Sequence, residues 1–187
     1  MISLREVVAS LYGTWRLARF DRSAVGYFDS TPEGFWRSFA AAVLAAPADV
    51  AIQILFRVEP LPEDIVHYGL GLLVAYAFSW LVWPLAAVYL ARALGRNDAL
   101  LLYLTAHNWA QVLAVLFQLL VVILAVGLLP APMVTLALLA SVLVVLVYEW
   151  FIASTALRLD RLAAAGVAIA YFVVSVLVSS IGTSLTS

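Results

Sequence analysis

"LTAHNWAQVLAVLFQLLVV", residues 104–122, is apolar enough to cross a bilayer, yet it carries His107, Asn108, Gln111 and Gln118. A crossing helix needs about 20 mostly apolar residues, which this stretch and its flanks supply. Four hydrogen-bonding side chains are costly against lipid, so they must face other helices or a wet cavity. The stretch therefore reads as one wall of a helical bundle, and the rest of the chain can be tested against that reading.

Composition agrees with it. Of 187 residues, 66% are hydrophobic and only 11% charged, where a soluble domain carries about 25% charged residues. With a mean hydropathy of +1.08, too little polar surface exists to cover a water-soluble globule. The class is all-α, a polytopic membrane protein. The chain has no cysteine, which excludes disulfides, thiolate metal sites, attached haem, palmitoylation and cysteine nucleophiles. All ten basic residues are arginine, a bias that GC-rich bacterial coding produces. The first twenty residues carry Arg5 and Glu6 and lack a compact apolar core with a cleavage site, unlike a signal peptide.

Residues 1–30 are expected to form a cytoplasmic amphipathic helix and linker, and residues 31–187 a five-helix transmembrane domain. On a helical wheel Leu4, Val7, Val8, Leu11, Tyr12, Trp15 and Ala18 share one face, flanked by Arg5, Arg16 and Arg19. That pattern suits a helix lying in the membrane interface, with its arginines towards anionic headgroups. Leu17 and Phe20 break its polar face. The other reading is a helix packed on the protein's own cytosolic surface. Thr31, Pro32 and Glu33 then form a helix start: a capping hydroxyl, a first-turn proline and an acid near the positive dipole end. Spans are expected over about 35–56, 65–90, 99–126, 133–156 and 162–181, with Pro84 kinking the second.

Orientation follows from the arginines. With the amino terminus inside, nine of ten lie on the cytoplasmic side, and only Arg57 lies outside, beside Glu59, Glu63 and Asp64. This positive-inside bias places the amino terminus in the cytoplasm and the carboxyl terminus in the periplasm of an inner membrane. Trp36, Trp80, Trp83 and Trp150 are expected in the aromatic belts near span ends. The absence of a visible repeat and the odd number of spans weigh against the two-halves plan of secondary transporters.

The polar residues of the spans form the candidate site. His107, Gln111 and Gln118 fall within about 40° of one another on a helix, with Tyr103 bordering them. In the first span Ser38, Ala42, Ala45, Ala46, Asp49 and Gln53 share a face, with Pro47 just before the acid. Glu149 shares a face of the fourth span with Val142, Val145, Ala153 and Ala156. His107 and Glu149 each lie roughly 12–13 Å from the cytoplasmic end of their spans, so they can meet. Asp49 matches Gln118 in depth. Two clusters are thus expected: an inner one of His107 and Glu149, which Asn108 either joins or, pointing off the His107 face, leaves for a different neighbour, and an outer one of Asp49, Gln53 and Gln118.

Such groups serve as a proton relay or substrate path, or as interhelical hydrogen bonds worth roughly 0.6–2 kcal/mol each. One histidine with one carboxylate is too few ligands for a metal, and His67 lies at the other membrane face. No serine or threonine pairs with His107 as a nucleophile would. Gly166 with Ala170, and Ser175 with Ser179, are small pairs suited to helix packing in the fifth span.

Five spans, a cytosolic amino terminus and the "PEGFW" approach to the first span resemble the Yip family, the Ypt/Rab-interacting membrane proteins, in a bacterial branch. The resemblance covers the layout of residues 31–182 and implies a membrane scaffold without chemistry. The family's "DLxGP"-type approach and longer cytosolic domain are absent, so no binding residues are carried over. The resulting expectation is a non-enzymatic scaffold or accessory subunit. It would associate with lipid and with other membrane proteins or a second copy, with no cofactor and no nucleic acid. The alternative is a small transporter or channel component using Asp49, His107 and Glu149.

Overall fold

The computed structural model describes residues 2–56 and 64–185. The acidic loop with Arg57, Glu59 and Glu63 lies outside the described residues, as does the side chain of His67. The described residues form seven α-helices: α1 (Leu4–Ala18), α2 (Pro32–Ser38), α3 (Ala40–Phe56), α4 (Ile65–Ala93), α5 (Leu100–Leu128), α6 (Ala131–Ala156) and α7 (Arg161–Leu185). Short 3-10 turns occupy Arg22–Tyr27 and Asn97–Ala99, and no strand occurs among the described residues. Among the described residues, five segments are long and apolar enough to cross a membrane: α2 with α3, then α4, α5, α6 and α7.

Local chemistry sets the helix ends. Thr31 Oγ1 accepts the Gly34 N–H at 3.0 Å, with Pro32 in the first turn. The first span is not one continuous helix. Ser38 Oγ donates back to the Phe35 carbonyl at 2.6 Å, and the chain breaks at Phe39 before resuming as α3. Side-chain bonding to a carbonyl of the same helix competes with the backbone ladder. Gly95 closes α4 at φ +64, and Arg96 N–H reaches back to the Ala91 carbonyl at 2.8 Å. A left-handed residue there is the usual way to satisfy the last carbonyls.

Helix α5 is the centre of the bundle, packed on α1, α2, α3, α4 and α6, while α7 packs on α4 and α6. From Tyr103 to Ala110 every residue of α5 is buried. A helix touched on one stripe would show exposed residues every turn, so this segment is enclosed on all sides. The segment before the first span, together with α2 at the head of that span, completes the enclosure. Helix α1, the turn after it and α2 form a collar around the amino-terminal third of α5.

The collar changes the reading of α1. Its buried residues are Ser10, Gly13, Thr14 and Leu17, a small-residue face that docks on α5 and α6. Leu17, which spoils the amphipathic wheel, is fully buried, worth about 2 kcal/mol relative to leaving it in water. A Cβ on Gly13 would stand 2.8 Å from Tyr27 Cβ, so only glycine permits this approach. Tyr148 OH donates to the Thr14 carbonyl at 2.9 Å, pinning α1 to α6. Of the expected apolar face, Val7, Leu11 and Ala18 pack half-buried against the core, while Leu4, Val8, Tyr12 and Trp15 turn outward, Leu4 78% and Trp15 53% exposed.

Arg16 is engaged inside the chain instead of pointing to headgroups. Its Nε donates to Asp21 Oδ2 at 2.7 Å, its Nη2 also meets Asp21, and Tyr27 OH accepts at 3.0 Å. Arg5 and Arg19 are exposed. Arg37 joins Glu6 of α1 at 2.9 Å and Asp29 at 2.5 Å, tying collar to span. In α7, Gly166 is exposed, so Ala164, Val167 and Ala168 make the packing surface in its place.

Candidate functional site

Helical spacing along α5 stacks Tyr103, His107, Gln111 and Gln118 on one face. His107 Nδ1 lies 2.9 Å from Glu149 Oε2 of α6, and Gln111 Nε2 donates to Glu149 Oε1 at 2.8 Å. Both carboxylate oxygens are thus matched, on a side chain only 1% exposed. Matching is what makes a carboxylate tolerable at this depth. Tyr171 OH of α7 donates to Gln111 Oε1 at 3.2 Å, and Trp83 Nε1 of α4 donates to Tyr103 OH at 3.1 Å. Four helices meet in this network.

Asn108 belongs elsewhere. One residue along α5 turns it about 100° from His107, and its Nδ2 donates to Ser38 Oγ at 2.8 Å. It locks the collar to α5 and takes no part in the expected group with His107 and Glu149. Gln111, left ungrouped by depth alone, takes that place.

Asp49 Oδ2 accepts from Gln53 Nε2 at 2.7 Å. Gln53 is exposed and supports the acid from the side, while Asp49 and Gln118 open onto a cavity of about 200 Å³. The same cavity is lined by His107 and Gln111. Members of both expected clusters, His107 and Asn108 of the inner and Asp49 and Gln118 of the outer, therefore line one chamber. Depth reckoning separated them because it counts residues along each helix, whereas the chamber runs along α5 from Gln118 to His107, about 16 Å.

Aromatic rings form the opposite wall. Tyr76, Trp80 and Trp83 of α4 and Tyr171 of α7 line the cavity, with Pro84 at its inner end. Trp83 is 2% exposed, and its ring centroid lies 5.2 Å from Tyr171 and 6.0 Å from His107. Trp80 packs at 6.2 Å from Tyr76, whose OH donates to the Ala42 carbonyl of α3 at 2.6 Å. Trp80 and Trp83 are thus chamber walls, not belt residues. Their spacing with Tyr76, at four and seven residues, was the available signal: it puts all three on one helical face.

Among the described residues, no arginine lines the chamber. No group of three or more His, Cys, Asp or Glu side chains suited to a metal ion occurs among the described residues. Compared with known proteins, the chain matches no family model, no curated protein and no solved structure. Its function is read from its own geometry.

Proposed function

We propose that this multi-pass membrane protein binds a small polar solute or proton within the bilayer and is a carrier or channel component. The observation that carries the reading is the single chamber joining Asp49 and Gln118 to His107 and the Glu149 behind it. Polar side chains that only fix helix register pair off and exclude space. Here they border a volume large enough for a ligand or several waters. Asp49 and Glu149 are the charge carriers in this reading, and His107 links Glu149 to the chamber. No reaction is assigned, and the protein is read as non-enzymatic. The arginine bias supports a bacterial inner membrane with the amino terminus in the cytoplasm.

The test is flux into liposomes holding the purified protein alone. Proton or solute uptake that Asp49→Asn abolishes supports the reading. Liposomes as tight as protein-free ones sink it.

The second reading, a scaffold or accessory subunit that associates with lipid, other membrane proteins or a second copy, rests on a different observation. Helix α1 turns Leu4, Val8, Tyr12 and Trp15 outward from the bundle beside exposed Arg5 and Arg19. Such a face suits the membrane interface or a partner helix. The resemblance to the Yip family supports the same reading. Partner recovery that survives Asp49→Asn, with no flux, would favour it.

A further inference from the structure

The chamber's chemistry is one-sided. Its formal charges are the Asp49 carboxylate and, behind the wall, Glu149 held by His107 and Gln111. The other titratable groups facing it are His107, Tyr76 and Tyr171. Among the described residues no arginine lines the chamber, so Asp49 meets no guanidinium there. Gln53 supplies a neutral hydrogen bond to one oxygen. An ionised carboxylate in a bilayer calls for a countercharge.

The walls distinguish among cations. A divalent metal ion is held by several charged or imidazole ligands, and no group of three or more His, Cys, Asp or Glu side chains that could hold one occurs among the described residues. Tyr76, Trp80, Trp83 and Tyr171 instead offer aromatic faces and edges around the chamber. Indole and phenol faces attract ammonium groups through their quadrupole, and clustered aromatics are the recurrent seat of methylated ammonium ions. A carboxylate and several aromatic side chains lining one chamber of about 200 Å³ suit one charge on a compact organic body.

We infer that the chamber's ligand is a small organic cation of the ammonium class, held between the Asp49 carboxylate and the aromatic wall of Tyr76, Trp80 and Trp83. This inference rests on the binding reading above and names its ligand class.

The test is titration of the full-length protein in detergent with choline and with 3,3-dimethyl-1-butanol, its uncharged carbon isostere. Potassium, acetate and glycine complete the panel, and heat and tryptophan fluorescence are the readouts. Choline is expected to bind saturably and the isostere roughly tenfold or more weakly. Asp49→Asn is expected to lose the same discrimination, and Trp80→Leu to weaken choline alone. The comparison on the unaltered protein stands even if a variant fails to fold. Equal binding of the isostere, or binding of potassium as tight as choline, overturns the organic-cation inference and leaves the chamber a binding site. Binding of acetate or glycine without choline does likewise. No binding by any member of the panel removes the inference, and the reading beneath it then stands or falls on the liposome flux.

Discussion

His107 of α5 and Glu149 of α6 stand 42 residues apart in sequence and meet with Nδ1 2.9 Å from Oε2. The contact is buried on both sides, and Gln111 occupies the second carboxylate oxygen. The pair is both an interhelical tie and the inner boundary of the chamber.

Removing one partner strands the other. His107→Leu or Glu149→Leu alone is expected to cost about 1–3 kcal/mol in detergent unfolding. The double change should cost less than the sum, since it leaves no orphaned charge. Strictly additive losses would argue that the two side chains do not act as a pair. Glu149→Gln, which keeps the shape and one acceptor oxygen while turning the other position into a donor whose hydrogen bond a neutral imidazole can accept, is expected to lose less than Glu149→Leu.

Docking of α1 depends on Gly13. Gly13→Val places methyl groups where Tyr27 and Phe28 already stand, within 3 Å of a Cβ, so the collar is expected to open without unfolding the spans. Trypsin should then cut at Arg16 and Arg19 several times faster, with helical circular dichroism nearly unchanged. Cleavage at the parent rate would mean that α1 tolerates the bulk by shifting, and that close approach at Gly13 is not what seats it.

Acid should loosen the collar. The hydroxyl and backbone N–H of Ser23, with Arg16 after them, hold the Asp21 carboxyl below the usual carboxylate range. Thr31, by hydroxyl and backbone N–H, does the same for Asp29, with Arg37 contributing less. Depressed values mean that the stabilisation is complete above the ordinary carboxylate pKa of about 3.9 and is lost as pH falls through the lower folded values. The melting temperature in detergent should therefore hold from neutral pH to about 4 and decline below it. Asp21→Asn with Asp29→Asn should start lower and lose much of that decline. An unchanged acid slope in this double variant would place the pH dependence elsewhere.

Topology can be read by fusion. Alkaline phosphatase joined after Ser187 is expected to be active in the periplasm, and the same enzyme inserted at Asn97 or Asp160 inactive. The reverse pattern would overturn the orientation drawn from the arginines.

What the linear sequence determined is the set of spans. Each crossing helix satisfies its own backbone, so apolar length alone announces it, and α4, α5, α6 and α7 begin and end within a few residues of the expected bounds. The Thr31–Pro32 start and the meeting of His107 with Glu149 were legible for the same reason: capping is local, and depth along a helix is a count of residues. Only the tertiary structure decided which faces meet. It turned Asn108 to Ser38, set Trp80 and Trp83 into the chamber instead of a belt, and buried Leu17 while leaving Trp15 outside. In a span that is apolar on most sides, periodicity hardly marks the inward face, because lipid and neighbouring helices accept the same side chains. Rotation about each helix axis is set by packing, and packing joins residues far apart in sequence.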